Sequence, residues 1–547
     1  MSAYQPNAQY SGSPSVGNLA TWGAPGVLMD GGPVPSGVIS LIGPVATIAA
    51  LRAATTATLP QMDCFLRGYY ATADGGEGML CYEPGDTTSA DNGVTIYVDT
   101  SGRRWYRLTD GRPLNLRCAG AKGDGITDDT AAIQAWVNAG DDLYAPIGQF
   151  VVSSTIQITK PLKMVGGGAG IGPGVTTDTN CTQFLCTAAF TTGDVFSATT
   201  YYSCIFRDFQ IAGKTGLGSA SPCPRTSGAG IHISGPNPGT NECSQVIGMA
   251  FSGLFYGLQC TLCVDQTIER NYFQAWKDSG YLVDNASTTI ECSAGHVVRN
   301  KFYGDPTVGG PQLFGLHAHD GYTNIADNLF EGSQIAIAIS VDQHNIGNVF
   351  IKDNSIEDQT VGGIIVAQAG SYNISSIQIT GNEFSNLTIP QITYHIQITG
   401  VTDADIFDVD ISDNNFSSTM SGGAAACIDM QYGENVTICR NRFNIASCYA
   451  VICAATVGTN LIADNMVQGT PTGSGYFLAS TNTVLKDPRP AYWTVALLPT
   501  TGVTNGSSVY VTDGHATSVT GFNYVVTGSG SGCQATLMRG QWLTFVS

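Results

Sequence analysis

Apolar and polar positions recur in the second half of the chain with a period of one coil. Short runs such as Ile377-Gln378-Ile379, Val409-Asp410-Ile411 and Val436-Thr437-Ile438 alternate with period two, the mark of strands with one buried face. Each run leads to an asparagine: Asn271, Asn300, Asn328, Asn354, Asn382, Asn414, Asn441 and Asn465, at gaps of 29, 28, 26, 28, 32, 27 and 24 residues. Three positions before it stands Ile or Val (Ile268, Val297, Ile325, Ile351). Two after it stands Phe, Ile or Val (Phe273, Phe302, Phe330, Ile356). A strand repeat of that length predicts an all-β solenoid, a parallel β-helix, with two apolar columns inside. The asparagine is expected at the corner between two strands, in the left-handed conformation it tolerates, with its amide stacked in a ladder from coil to coil.

The pattern changes elsewhere. Residues 1–45 are rich in Gly, Pro and Ser and read as an attachment segment. Residues 46–115 read as a small, mostly β domain with a helix over Val45 to Ala54 and strands near Gly78–Tyr82, Thr95–Val98 and Arg104–Leu108. The solenoid is placed at 116–486. At its head, Ile133, Trp136 and Val137 form one face of a helix capped by Thr127 or Asp128 and stopped by Gly140, a lid over the first coil. About 13 coils are expected, a stack of roughly 60 Å at ~4.8 Å per coil. Residues 487–547, after Asp487-Pro488-Arg489-Pro490, lack the Asn phrase and read as a terminal module for trimerisation or carbohydrate binding.

Composition narrows the partners. A net charge of −19 argues against nucleic acid and anionic membranes. No stretch approaches the ~18 apolar residues of a membrane span, and MSAYQPNAQYSGSPSV lacks the regions of an export signal. The 16 cysteines are scattered singly, which predicts buried free thiols. Cys260-x-x-Cys263 has no second pair or following His to complete a zinc site.

The stretch Gly120-Ala121-Lys122-Gly123-Asp124-Gly125-Ile126-Thr127-Asp128-Asp129 resembles the opening of the pectate-lyase-like β-helix in bacteriophage tailspikes and capsule depolymerases. Upstream, Val45 to Arg52, Gly68-Tyr69-Tyr70, Asp74-Gly75-Gly76-Glu77-Gly78 and the run from Asp86 to Gly93 resemble the neck preceding it in such spikes. The resemblance covers about residues 45–480. It implies a right-handed β-helix and a homotrimer held to phage tail or baseplate proteins by its N-terminus. It also implies binding, and usually cleavage, of a bacterial surface polysaccharide by the assembled virion.

Aligning coils on the asparagine exposes an outward column three residues later: Gln274, Tyr303, Glu331, Glu357, Ser385, Ser417, Asn444 and Gln468. Glu331 and Glu357 stand on consecutive coils, with Asp358 adjacent. Two close carboxyls split their proton affinities, as an acid and a base or nucleophile of glycoside hydrolysis require. Asp327 and Asp353 form a second stacked pair, and Asp342 and His344 lie between those coils. His317 and His319 are expected to face outward from the preceding strand, as sugar ligands or as a lyase base. Tyr303, with Tyr272, Trp276 and Tyr322, offers rings for stacking on sugars. Hydrolysis ranks above lyase chemistry because no Arg or Lys cluster surrounds the histidines. A lyase, or a spike that binds sugar without cutting it, stays open. No cofactor is required. Asp403, Asp405, Asp408, Asp410 and Asp413 are dense enough to suggest calcium, with Asp408 and Asp410 sharing one outer face.

Overall fold

The computed structural model describes residues 9–11, 18–24, 27–33, 42–59, 62–170, 180–200, 202–213, 225–235, 241–284, 295–304, 312–319, 323–341, 345–368, 372–386, 392–401, 406–419, 425–454, 457–471, 476–478, 483–487, 508–511, 515–516, 524–527, 533–538 and 541–544. Two compact units result: residues 1–112 with 117–120, and residues 113–116 with 121–547.

In the first unit, five strands run in the spatial order Ile42–Val45, Asp63–Leu66, Gly78–Tyr82, Arg104–Arg107, Ile96–Val98. The helix is shorter than expected, Ile48–Arg52. Thr47 caps it by accepting from the Ala50 amide, and Ile48 and Leu51 pack with Leu66, Leu80, Tyr97 and Trp105. The neck phrases are turn chemistry. Asp74 accepts four backbone N–H bonds, from Tyr69, Tyr70, Ala71 and Gly76, which together hold its carboxyl below the usual range against the opposing effect of burial. Asp99, fully covered, holds Arg103 in a 2.7 Å ion pair and accepts from the Trp105 indole N–H.

The second unit is a parallel β-helix of three sheets. The first contains Thr323–Ala326 and Val349–Lys352. The second, of 13 strands, contains Leu329–Glu331 and Ser355–Glu357, and the third, of 12 strands, Phe314–Ala318 and Ile335–Val341. Inside, the Phe column stacks: ring centroids are 4.9 Å apart for Phe251–Phe273 and 4.6 Å for Phe273–Phe302 and Phe302–Phe330, with planes within 9°. Ile356 interrupts the column, and Phe384–Phe416–Phe443 resume it. Each such pair adds ~0.5–1.5 kcal/mol beyond burial. The third sheet makes room with glycine: a Cβ on Gly280 or Gly315 would lie 2.8 or 2.7 Å from the Phe302 or Phe330 ring. His395 takes the equivalent inward place against Phe384 and Phe416. It is buried with neither ring nitrogen bonded among the described residues, and burial pushes it down to about 3.

The ladder is present, but the corner belongs to another residue. Asn300 Oδ1 accepts from the Asn271 backbone and amide, Asn328 Oδ1 from those of Asn300, and the pattern continues to Asn465. Each Nδ2 from Asn271 to Asn465 also donates to a carbonyl of the preceding coil, as Asn328 does to Val297 O at 2.9 Å. All eight asparagines are buried. The left-handed backbone lies one residue earlier, at Arg270, Arg299, Asp327, Asp353, Gly381, Asp413, Arg440 and Asp464, with φ between 55° and 70°. Splitting the roles lets the exposed corner residue carry the bend while the amide turns inward to satisfy buried backbone groups.

The lid helix spans Thr130–Ala139 with Ile133, Trp136 and Val137 buried. Asp129, rather than Thr127 or Asp128, holds the N-cap position, and its carboxylate accepts from the Lys122 and Gly123 amides. Beyond the coils, Ser508–Val511 adds in parallel to Thr483–Asp487, and the strands Cys533–Met538 and Gln541–Thr544 pair antiparallel. Cys64, Cys204, Cys260, Cys427, Cys439 and Cys453 are buried thiols, while Cys243 is exposed.

Candidate active site

Glu331 ends the strand Leu329–Glu331 and Glu357 the strand Ser355–Glu357. Register pairs them directly, Glu331 opposite Glu357, with Tyr303 opposite Glu331 on the other side and Ser385 beyond Glu357. The side chains point out because Phe330 and Ile356 beside them point in. Both glutamates are half-buried. Burial, then the charges of Glu357 and Asp358, hold the Glu331 carboxyl above its ordinary range. Glu357 accepts the Ser355 hydroxyl at 2.7 Å. Asp358 takes a left-handed turn conformation, φ 52°, just past the strand. The column thus presents one carboxyl with raised proton affinity beside a second carboxyl and a phenol.

Asp327 and Asp353 do stack, but at exposed corners where their backbone makes the bend. They share the two coils with Glu331 and Glu357 but belong to the turn instead of the second sheet. Asp342 and His344 lie outside the described residues, as do Asp403, Asp405 and Tyr322. Tyr272 and Trp276 are buried, Trp276 edge-on to Phe302 with its ring centroid 6.3 Å away, so they pack the coil and offer no free face to sugar. Tyr303 remains outward and half-buried.

Leu316 and Ala318 point inward, and His317 and His319 outward, their rings 4.2 Å apart. His317 contacts Ser340 Oγ at 3.1 Å and packs on Phe314, and burial pushes it down to about 3. Their neighbours include acids that the column reading missed. Asp278, just before the strand Ser279–Asp284, accepts the Ser279 hydroxyl at 2.8 Å, and burial raises its carboxyl while His319 opposes that shift. Burial, with the charges of Asp278 and Asp284, pushes Tyr256 up to about 12. Gln259 donates to Asp284, and His232 bridges Asp194 and Thr261 at 2.9 Å each. These residues flank the coil at the start and end of third-sheet strands. The Asn phrase fixes no register there, and no period in the sequence marks them.

Among the described residues no group of three or more His, Cys, Asp or Glu is placed to hold a metal. Asp408, at a left-handed position, accepts from Asn435, and Asp413 pairs with Arg440 at 2.8 Å. Asp408 is exposed and Asp410 half-buried on either side of the inward Val409, the shared outer face that the alternation predicts. Cys260 and Cys263 are buried thiols.

Comparison with known proteins follows the two units. Residues 44–110 match the family model of the phage tail protein small four-stranded beta-sheet domain, and residues 114–221 that of rhamnogalacturonase A/epimerase, pectate lyase-like. A tailspike protein variant of E. coli bacteriophage HK620 is similar in structure at 11% identity, with a TM-score of 0.55 over 83% of this chain and 94% of that one. A Pantoea stewartii glycan biofilm modifying enzyme with a bacteriophage tailspike-like parallel beta-helix fold aligns at 16% identity, TM-score 0.47, over 68% of this chain and 51% of its own. A probable glucan endo-1,3-beta-glucosidase of Arthroderma benhamiae is 37% identical over 81 residues, which is 13% of this chain and 9% of that relative's length. The chain carries a phage tail β-sheet domain over residues 44–110, followed by a pectate-lyase-like parallel β-helix with the fold of a phage tailspike.

Proposed function

We propose that this protein is a tailspike hydrolase that binds a bacterial surface polysaccharide, capsule or O-antigen, and cuts it endolytically. It works as a homotrimer fixed to the phage tail by its N-terminal unit and acts at the host surface. The observation that carries the reading is the register pairing of Glu331 with Glu357, in which burial and the charges of Glu357 and Asp358 raise the Glu331 carboxyl above its ordinary range. Glu331 protonates the glycosidic oxygen as the bond breaks. Glu357 attacks the anomeric carbon from the other side to form a glycosyl ester, water deprotonated by the now ionised Glu331 then displaces Glu357, and Tyr303 stacks on or hydrogen-bonds the neighbouring sugar. A coil spacing of ~4.8 Å is nearer to the ~5–5.5 Å carboxyl separation of retaining enzymes than to the ~6.5–9.5 Å of inverting ones, so retention is expected. The test is reducing-end release from a panel of capsular and O-antigen polysaccharides, with product anomers followed by NMR. Release by wild type and its loss in both Glu331→Gln and Glu357→Gln supports the reading. Full activity in either variant sinks this assignment.

A second reading has its own observation. Asp278 interacts electrostatically with His319 and with Tyr256, and Tyr256 also with Asp284, beside the third sheet, an arrangement that suits proton abstraction by a lyase. Loss of activity in Asp278→Asn with Glu331→Gln unaffected, and ultraviolet absorbance from unsaturated uronate ends, would move the chemistry there.

A further inference from the structure

The first sheet carries a feature that neither carboxylate cluster uses. On its outer face His296, Asn324, Phe350 and Gln378 fall into one register column on four successive coils, and Lys352 and Thr380 stand in the column beside it. Together they line an open groove of about 420 Å³. Three coil spacings make it ~14 Å long, and its volume falls within the ~300–1,000 Å³ of ligand sites. Phe350 is half-buried and lines the groove. An amide side chain stands one coil before it and another one coil after it. That is the chemistry of a sugar platform, with an apolar ring under the C–H face and amides at hydroxyl height.

The charge adds a selection. Lys352 is exposed and makes no ion pair among the described residues, in a chain whose net charge is −19. An exposed, unpaired lysine lining the groove favours a carboxylate-bearing ligand and disfavours a strongly cationic one. The nearest acid on the same column, Asp410, lies one coil past Gln378, at the groove's end.

We infer that the outer face of the first sheet holds a second glycan-binding site, separate from the Glu331–Glu357 pair, which takes an acidic oligosaccharide with Phe350 as platform and Lys352 as carboxylate partner. It deepens the proposed function, because a spike that holds its polymer on one face while cutting on another stays on the polymer between cuts. The binding claim does not depend on cleavage.

The test uses the full chain carrying Glu331→Gln, so that no probe is consumed, and calorimetric titration with short oligogalacturonate, oligomannuronate and oligosialate. Fully methyl-esterified oligogalacturonate serves as the uncharged control. Binding of at least one acidic probe is expected, weakened about tenfold or more by Phe350→Ala and by Lys352→Gln. The Lys352→Gln loss should shrink as salt rises, and the esterified control should not feel it. Three outcomes overturn the inference: no acidic probe binds, both variants bind as the parent does, or Phe350→Ala changes the oligomeric mass, which would make this face a contact between copies. Activity of the same substitutions in the otherwise wild-type chain separates the two readings. Short-substrate cleavage should persist in Phe350→Ala, while its disappearance only in Glu331→Gln speaks to the hydrolase assignment alone.

Discussion

Asn354 and Glu357 are three residues apart on one coil, and each lies in register with its counterpart on the coil before it, Asn328 and Glu331. The same stacking has opposite consequences on the two sides of the wall. Inside, an amide has both a donor and an acceptor, so repetition satisfies every buried group and the column gains stability with each coil. Outside, a carboxylate has only acceptors and a charge. Burial raises the proton affinity of Glu331, and repetition there adds to the rise by bringing like charges together. One register therefore yields strength where the repeated group complements itself and reactivity where it does not.

The largest expected effect breaks the outer half of that comparison. Glu331→Gln and Glu357→Gln should each lower kcat on the cleaved polysaccharide by ~10²–10⁴-fold with little change in KM or in secondary structure by circular dichroism. Next comes the inner half. Asn354→Ala removes the acceptor of the Asn328 backbone and side-chain amides, and each buried orphan costs ~1–3 kcal/mol, so the denaturant midpoint should drop by the equivalent of about 3 kcal/mol. Ser417→Ala, in the outer column, should leave that midpoint unchanged. If Asn354→Ala is as silent as Ser417→Ala, the ladder contributes no stability of the kind argued.

His395 is an inward group that does not complement itself. Its folded value of about 3 lies below the ~6.5 of an unfolded histidine. Between those values the unfolded chain binds the proton and the folded chain does not, so stability falls as pH drops from ~6.5 toward 3. Unfolding midpoints at pH 7 and pH 5 should differ less in His395→Phe than in wild type, by on the order of 1 kcal/mol. An unaltered difference would show that the ring is hydrated or protonated in place. The smallest effect sharpens the outer comparison. Asp358 is one of the charges raising Glu331, so Asp358→Asn should move the alkaline limb of the pH–rate profile to lower pH by less than about one unit. A shift in the other direction would mean that Glu331 is not the acid.

Much of the fold was legible because the strand repeat is periodic. The Ile and Phe columns, the amide ladder, the outward histidines and the pairing of Glu331 with Glu357 all follow from counting residues from the asparagine. Counting failed where the backbone departs from the period. The left-handed corner fell to Asp327 and Asp353 instead of the asparagine, because an amide pointing inward cannot also serve as the exposed bend. Tyr272 and Trp276, expected as sugar platforms, fill the wall.

By itself, the sequence determined the coil, its interior and the acidic pair Glu331 and Glu357 that shares an outward column, because strand register converts linear spacing into spatial contact. Only the tertiary structure decided which other groups meet. Asp278, Asp284, Tyr256 and His319 come from different coils, joined by repeats that elsewhere vary from 24 to 32 residues in length. Their proximity, burial and proton affinities depend on how the chain closes around the core, which no spacing along it encodes.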